Sequence, residues 1–405
     1  MAGPCHGCGE MSRPQVPALD KVAGGHHVSR RLNFHGAHLS YCTNIHPAET
    51  WAETFDVLQS RVLAARDLVC PAKPFGIGLR LSAVAARELL EGGGLAGFKA
   101  WLEETHTYIF TINGFPYGSF HGTRVKERVF QPDWTTCERL NYTKDLFRIL
   151  SVIARPGAEA SVSTLPGSHK SFAADESAIR RNLIALAGWL DELAAETGHD
   201  FHLGLEPEPL GHFENTAETI AFFERLHGVA PDSAAIRRRI GVNYDACHFA
   251  LQYEDAGASL DALLRHEIRI SKIHLSSALA LDPRDPAAIA AIRAFDEPVY
   301  FHQVLARDEM GLIRRFTDLP DFLTADRSGL DEARVHFHIP LDAEPAPPLR
   351  STRSHARGLL EWRTRNPDAC RHFEIETYTW GVLPQDLRRP VDEQIAGEFR
   401  WVLEQ

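Results

Sequence analysis

Acidic and imidazole side chains at the ends of apolar stretches are the residues of this chain best suited to chemistry. The clearest case lies near the C-terminus, in the run His372-Phe373-Glu374-Ile375-Glu376. If this run is a strand, Phe373 and Ile375 face one way and the His and Glu side chains face the other, because side chains alternate along a strand. Buried carboxylates are costly unless a cation or a reacting substrate balances them. The run therefore predicts a polar site on the inner side of a sheet.

Three earlier stretches have the same character, an apolar run that leads into a metal-ligand residue. They are 203–207 with Glu206, 242–248 with Asp245, and 272–276 with His274. Together with Glu376, these residues offer three carboxylates and one imidazole. An oxygen-rich set of this kind favours Mn²⁺, Mg²⁺ or Co²⁺, and Zn²⁺ can also occupy it. Glu208 competes with Glu206 as a ligand, and Glu374 is expected one layer deeper than Glu376.

Strands that alternate with amphipathic helices would position these four residues. The strands are predicted at 39–45, 75–81, 107–112, 161–165, 201–206, 239–244, 270–275 and 371–377. The clearest helix is predicted over 175–197, with Asp175 able to cap its start and Gly198 its end. Eight strand–helix alternations predict parallel strands that close into a (β/α)₈ TIM barrel. Function is then expected at the carboxyl ends of the strands, where neighbouring ends lie about 5 Å apart.

The alternation of strand and helix breaks once, between the seventh and eighth strands. Residues 282–350 are longer than a normal connection and contain strand-like runs at 299–305 and 334–340. We interpret this segment as an insertion that lies over one end of the barrel. Its histidines either reach the site or only cover it, and the sequence leaves both possibilities open for His302, His336 and His338.

Composition and net charge limit the classes of protein to which this chain can belong. The 405 residues are 44% hydrophobic and 24% charged, as in ordinary soluble globular proteins. Neither a membrane-spanning run nor a signal peptide is evident, which predicts a cytoplasmic protein without membrane insertion. The net charge of -11 disfavours nucleic-acid binding, since phosphate contacts need clusters of Lys and Arg. The sequence does not indicate an oligomeric state.

The N-terminal part is predicted to lie outside the folded domain. Residues 1–30 lack hydrophobic periodicity and are predicted to be a disordered tail, so residues 31–405 are predicted to form a single barrel domain. The seven cysteines are an odd number and widely scattered, which does not predict a disulfide framework. Cys5 and Cys8 form a lone C-x-x-C pair whose role is left open.

Polar residues at or just beyond predicted strand ends are candidates for orienting a substrate, although each could equally be ordinary loop polarity. They are Asn44, His46, Arg80, Asn113 and Gln303.

The ligand order resembles a known superfamily. Glu after strand five, Asp-x-x-His at strand six, His at strand seven and Glu at strand eight resemble the xylose-isomerase-like TIM barrels, which include sugar isomerases, epimerases and endonuclease-IV-like enzymes. More narrowly, the runs at 41–47 (YCTNIHP) and 376–380 (ETYTW) resemble the EboE family of metabolite traffic proteins. The resemblance extends from about residue 34 to the C-terminus.

This resemblance implies roles for individual residues. Glu206, Asp245, His274 and Glu376 would hold a divalent metal ion, and Glu206 and Glu376 would also move protons on opposite faces of a substrate. His248 would bind the substrate or a second ion. The leading hypothesis is an isomerase or epimerase that acts on a small carbohydrate-like molecule. The alternatives are an endonuclease-IV-like phosphoester hydrolase and a metabolite-binding module without catalytic activity.

Overall fold

The computed structural model of the chain describes residues 33–34, 36–119 and 126–405, so the predicted tail and the Cys5–Cys8 pair lie outside the described residues. The strands are β1 Asn33–Phe34, β2 Ala37–Tyr41, β3 Phe75–Arg80, β4 Thr107–Asn113, β5 Glu159–Thr164, β6 Asp200–Leu205, β7 Ile240–Asp245, β8 Arg269–Leu275, β9 Ser277–Leu281, β10 Val304–Asp308, β11 Ile313–Phe316, β12 Leu330–Ile339, β13 Arg350–Ser351 and β14 His372–Ile375. The α-helices are α1 Trp51–Val57, α2 Leu63–Val69, α3 Ala83–Glu91, α4 Leu95–Glu104, α5 Cys137–Ile153, α6 Glu176–Thr197, α7 Thr216–Val229, α8 Ser233–Arg239, α9 Ala246–Leu251, α10 Ala256–Arg265, α11 Pro286–Ile292, α12 Leu319–Thr324, α13 Arg353–Arg365 and α14 Val391–Leu403.

Eight parallel strands form the barrel, in the spatial order β2-β14-β8-β7-β6-β5-β4-β3. Each neighbouring pair is parallel. A parallel bridge between Cys42, which follows β2, and Gly78 of β3 joins the two ends of this order and closes the ring. The predicted (β/α)₈ TIM barrel is therefore confirmed.

The first barrel strand is shorter than its apolar run predicted. It ends at Tyr41, and Thr43–Ile45 form a turn of 3₁₀ helix instead of continuing the strand. The polar side chains of this turn bond to neighbouring strand ends: Thr43 Oγ1 accepts from the Arg80 amide, and Asn44 reaches the eighth strand. These contacts turn the chain toward the barrel mouth.

Alternation along the strands separates an apolar outer layer from a polar interior. On β14, Phe373 and Ile375 belong to the main hydrophobic core, as predicted. His372, Glu374 and Glu376 occupy successive levels of the barrel interior and are also buried. The barrel thus stacks polar side chains along its axis, and the uppermost level is the carboxyl end where the site lies.

A second, antiparallel sheet follows the seventh barrel strand, in the order β11-β10-β12-β9-β13. It has a hydrophobic core of its own that includes Phe322, Val335 and Phe337. The sheet begins at β9, directly after β8, which is earlier than the predicted start of the insertion. The predicted strand at 334–340 lies within β12, apart from its final proline.

The other predicted strand of the insertion is displaced. The ladder begins at Val304 rather than at Val299. The Glu297 carboxylate accepts the backbone amides of Val299 and Tyr300 at 2.8 and 3.0 Å. These amides are thereby bound in a turn, and Tyr300 and Phe301 line the cavity at the barrel mouth.

Among the helices that the structure describes, none combines the length and the apolar character needed to cross a membrane.

Candidate metal centre

Four side chains from neighbouring strand ends meet at the carboxyl end of the barrel. The Nδ1 atom of His274 lies 3.3 Å from Glu206 Oε1, 3.6 Å from Asp245 Oδ2 and 3.3 Å from Glu376 Oε2. One ligand atom from each of the four lies within 4.8 Å of all the others. A tetrahedral ion with bonds of 2.0–2.2 Å would separate its ligand atoms by about 3.3–3.6 Å. The three distances from His274 match this spacing, and the remaining pairs lie within 4.8 Å, so the four residues predicted from the sequence form a candidate site for one small cation.

In each of the two glutamates, one carboxylate oxygen accepts a hydrogen bond from an asparagine, and the other oxygen faces His274. Asn243 Nδ2 donates to Glu206 Oε2 at 2.8 Å. Asn44 Nδ2 donates to Glu376 Oε1 at 2.8 Å. Hydrogen bonds of this kind fix the direction of a ligating carboxylate.

Asp245 follows the same rule. Its Oδ1 accepts from the Cys247 amide at 2.7 Å, the His248 amide at 3.1 Å and Ser276 Oγ at 2.8 Å. Its Oδ2, which faces His274, is buried and has no hydrogen-bond partner among the described residues. One oxygen of the Asp245 carboxylate thus caps α9, and the other faces the candidate metal position.

Charge in this cluster favours a bound cation. Burial lowers the pKa of His274. The nearby Glu376 and Glu206 raise this pKa by more than burial lowers it, so it lies well above its ordinary value. Burial raises the pKa of Glu376, but His274 and His338 lower it, and the net pKa is below the ordinary value. The carboxylates of Glu376 and Asp245, whose pKa values lie below the ordinary ones, therefore stay ionised beside a protonated His274, and a metal ion that binds here would displace that proton.

An ion pair lies directly beneath the cluster. Lys272 Nζ contacts Glu374 Oε2, and both side chains are fully buried. The same Glu374 oxygen lies 2.8 Å from His274 Nε2. Since Nε2–H donates downward to Glu374, Nδ1 is the nitrogen that would bind a metal ion once its own proton is displaced. Glu374 lies one layer deeper than Glu376, as expected.

A cavity with aromatic walls opens above the four residues. Its aromatic lining consists of Phe115, Phe130, Tyr300, Phe301 and Tyr378. Glu208 also lines it, and burial together with the nearby Glu206 and Asp245 raises the pKa of Glu208 well above its ordinary value. The cavity thus offers apolar surface beside a few polar groups, as small-molecule sites commonly do.

Three of the predicted substrate-binding residues line this cavity, namely Asn44, Asn113 and His248. Asn113 Nδ2 lies 3.4 Å from Glu376 Oε1, so both asparagines also hold the glutamate. His248 Nε2 lies 3.9 Å from Asp245 Oδ1.

The other three predicted substrate-binding residues have different surroundings and are not among the side chains that line the cavity. Arg80 donates to the backbone carbonyl of Gly118 at 2.6 Å. Gln303 donates to Glu214 at 3.0 Å, and His46 Nε2 lies 3.1 Å from a tyrosine hydroxyl. Arg80 and Gln303 thus bond to loop residues, and His46 bonds to Tyr41 at the end of β2, instead of facing the four candidate ligands.

Several residues near the centre were not predicted as parts of it. Asn243 and Lys272 stand two positions before Asp245 and His274, so the alternation that was applied to β14 would have found both on the inner face. Of the histidines that the sequence left open, His338 reaches the centre, and His336 lies next to it, with its Nε2 3.3 Å from His338 Nε2. His338 Nδ1 lies 3.6 Å from Glu376 Oε2.

His302 plays a different part from the other two histidines of the insertion. Its Nδ1 lies 2.9 Å from the backbone carbonyl of His336, and its Nε2 lies 2.8 Å from Glu297. The ring therefore braces the second sheet.

Comparisons with known proteins assign this chain to no family. No protein-family model matches the chain, and no curated protein is similar to it. Similar solved structures include a xylose isomerase domain protein from Alicyclobacillus acidocaldarius (15% identity, 91% of this chain and 95% of that one, TM-score 0.42). An L-ribulose 3-epimerase (12% identity, 91% and 95%, TM-score 0.46) and the IolI protein with a bound zinc atom (10% identity, 91% and 98%, TM-score 0.47) are also similar. The fold assignment rests on the strand order above, and none of these comparisons supports the narrower EboE resemblance.

Proposed function

We propose that this protein is a divalent-metal-dependent isomerase or epimerase of a sugar or related polyol. The observation that carries the proposal is the spacing of Glu206, Asp245, His274 and Glu376, each with one atom aimed at a common point. Three buried carboxylates and an imidazole suit Mn²⁺, Mg²⁺ or Co²⁺, and Zn²⁺ can also be held. When bound, the ion would polarise a substrate carbonyl or hydroxyl and make the adjacent C–H more acidic.

The two glutamates are suited to move the proton. They directly follow β6 and β14, which lie on either side of β7 and β8, and a substrate bound in the cavity would lie between them. One carboxylate, ionised when the substrate binds, takes the proton from carbon. The other, protonated at that point, gives its proton to the opposite face, which inverts that carbon and leaves the two carboxylates with exchanged protonation states. Asn243 and Asn44 each donate to one oxygen of a glutamate, so that the other oxygen stays directed inward during both transfers. The EboE-like motifs would place the substrate in a metabolite traffic system.

Hydrogen exchange tests this proposal. Metal-loaded protein is incubated with a panel of ketoses and ketose phosphates in D₂O, and ¹H NMR follows the carbon next to the carbonyl. We expect deuterium to enter at that carbon, with the rate reduced about 10²–10⁴-fold in Glu206→Gln or Glu376→Gln, the range typical of a lost general base. Glu361→Gln, an exposed position on α13, is the matched control. Equal exchange in both active-site variants and in the wild type would contradict the assignment.

A phosphoester hydrolase is the second candidate, and one observation favours it. Glu208, His248 and His336 also bring ligand atoms within 4.8 Å of one another beside the main centre, and phosphoester hydrolysis often uses more than one metal ion. Turnover of bis(p-nitrophenyl) phosphate, with no exchange in any ketose, would favour the hydrolase.

A further inference from the structure

Three further metal-ligand side chains meet inside the barrel, at the amino end of the strands. Glu159 and His372 are the first residues of β5 and β14, and His202 is the third residue of β6. β5 pairs with β6, whereas β14 lies across the barrel from both. One ligand atom from each of the three side chains lies within 4.8 Å of the other two. This amino-end cluster therefore lies beneath the level of Glu374, at the opposite end of the barrel from the cavity.

Hydrogen bonds determine which nitrogen of His372 carries the proton. Ser161 Oγ donates to Thr111 Oγ1 at 2.8 Å and also lies 2.8 Å from His372 Nδ1. A hydroxyl group has one proton, so Ser161 Oγ must accept from His372 Nδ1–H. In a neutral imidazole the other nitrogen, Nε2, then bears a lone pair. His372 Nε2 is buried and has no hydrogen-bond partner in the described part of the chain, which is costly unless another group binds it.

His202 Nε2 is a second buried nitrogen of this kind. It lies 3.1 Å from Glu159 Oε1 but without the alignment of a hydrogen bond. His202 Nδ1 contacts Ser271 Oγ, a hydroxyl that can accept from Nδ1–H and so leave the Nε2 lone pair toward Glu159. In that tautomer the lone pair and the carboxylate oxygen repel unless a cation lies between them. Burial lowers the pKa of both imidazoles, so both are neutral at pH 7, the form that binds metal.

The residue types and their support suit a zinc ion. Two imidazoles and one carboxylate are a ligand set that zinc uses in proteins, with water in the fourth position. The 3.1 Å contact of Glu159 with His202 is close to the roughly 3.3 Å that separates ligand atoms on a tetrahedral ion. Arg269 Nη2 donates to Glu159 Oε1 and to Asp200 Oδ2, both at 2.8 Å, and such bonds fix the direction of a ligating carboxylate. The Glu159 side chain is 26% exposed, which gives an ion a path from solvent.

We propose that Glu159, His202 and His372 form a divalent-cation site at the amino end of the barrel. Its two imidazoles favour Zn²⁺ or Co²⁺, whereas the carboxylate-rich centre at the carboxyl end favours Mn²⁺ or Mg²⁺. A bound ion would join β14 directly to β5 and β6 across the interior. Catalysis in TIM barrels takes place at the carboxyl end, and the amino end contributes stability. The ion therefore has a structural role, and the proposed function does not depend on it.

Zinc binding by the full-length protein tests this site. The protein is stripped with a chelator, dialysed against ZnCl₂ alone, and its metal content is measured by mass spectrometry. We expect His372→Gln and Glu159→Gln each to hold about one Zn²⁺ per chain fewer than the wild type, because two ligands bind far more weakly than three. His355→Gln, which removes a buried histidine bonded to Tyr244 outside the cluster, should bind as much zinc as the wild type. Equal zinc content in the wild type and both cluster variants would overturn the site.

A variant of the carboxyl-end centre separates this inference from the proposed function. Glu206→Gln/Glu376→Gln should lose the ion of that centre and keep the ion of the amino-end cluster, so that adding His372→Gln removes about one more Zn²⁺. Zinc should also raise the melting temperature of Glu206→Gln/Glu376→Gln by more than that of the triple variant, since an ion that binds only the folded chain stabilises it.

The pattern of zinc loss shows which of the two sites fails. Loss of zinc in the glutamate variant, with His372→Gln equal to the wild type, would overturn the amino-end site and leave the carboxyl-end centre intact. Loss in His372→Gln, with the glutamate variant equal to the wild type, would support the amino-end site and contradict the centre. Circular dichroism checks that each variant is folded, and Glu159→Gln, at a partly exposed position, carries the test if His372→Gln does not fold.

Discussion

The buried ion pair between Lys272 and Glu374 yields a prediction whose size follows from the structure. Both side chains are fully buried, and Glu374 Oε1 has no hydrogen-bond partner among the described residues. In Lys272→Met the carboxylate therefore keeps only its bond to His274. Removing one partner of a buried ion pair typically costs about 3–5 kcal/mol, because the remaining charge is buried without compensation. We expect Lys272→Met to lower the free energy of unfolding by that amount.

Pairing this variant with a second substitution isolates the charge. Glu374→Gln removes the negative charge but keeps an oxygen that can accept from His274 Nε2–H. The double variant should therefore be more stable than Lys272→Met alone. The coupling energy, which also subtracts the effect of Glu374→Gln alone, should be about 2 kcal/mol, within the range found for residues in direct contact. Urea unfolding in chelator-containing buffer, followed by tryptophan fluorescence, measures each member of the cycle.

The exposed Lys73→Met is the control and should change stability by less than about 0.5 kcal/mol. If Lys272→Met costs no more than this control, the ion pair does not stabilise the layer beneath the centre and the reasoning is refuted.

Three further predictions concern the site and its support. Asn44→Ala removes the 2.8 Å hydrogen bond to Glu376, and we expect metal affinity to fall about 10–100-fold by isothermal titration, as for other residues that orient ligands. Glu398→Gln should stabilise the protein at pH 8 and not at pH 4.5, because burial raises the pKa of Glu398 to about 7. Gly78→Ala should destabilise by about 1–3 kcal/mol in urea unfolding, since the added carbon would lie 1.8 Å from Glu374 Oε1 and 2.6 Å from a backbone oxygen. Gly97→Ala, a helical position with open space, is its control and should not destabilise.

The sign of the Glu398 effect follows from linkage. The folded pKa of about 7 exceeds the ordinary value of 4.5, so the unfolded chain ionises first as the pH rises. Stability is therefore lost between pH 4.5 and 7, by up to about 3 kcal/mol at about 1.4 kcal/mol per pH unit. A melting temperature that Glu398→Gln raises equally at both pH values would contradict this explanation. Unchanged metal affinity in Asn44→Ala would likewise show that the asparagine does not position Glu376.

Much of the barrel could be predicted because local patterns and the global fold agree. The α6 helix begins after Asp175, whose side chain accepts from the Ser177 amide, and ends at Gly198 with φ of 75°, as its capping signals indicated. Alternation along β14 placed Glu374 and Glu376 on the inner face. Strand order then brought the four candidate ligand residues together, because the carboxyl ends of adjacent parallel strands meet at one rim.

What could not be predicted depends on contacts between distant segments. Arg80 ends a barrel strand, yet its guanidinium bonds to the carbonyl of Gly118, which no periodicity indicates. The predicted strand does not begin at Val299, because the Glu297 carboxylate accepts the backbone amides of Val299 and Tyr300 that strand pairing would use. The position of His338 beside Glu376 requires β12 to pair with β9, a register set by the second sheet as a whole.

The most direct measurement of the central claim is an anomalous difference map from crystals soaked in MnCl₂, recorded at the manganese edge. We predict a peak bonded to Glu206, Asp245, His274 Nδ1 and Glu376, with ligand distances of about 2.0–2.3 Å. If Mn²⁺ binds elsewhere, or if the four side chains remain bonded only to one another at saturating Mn²⁺, the metal centre proposed here is wrong.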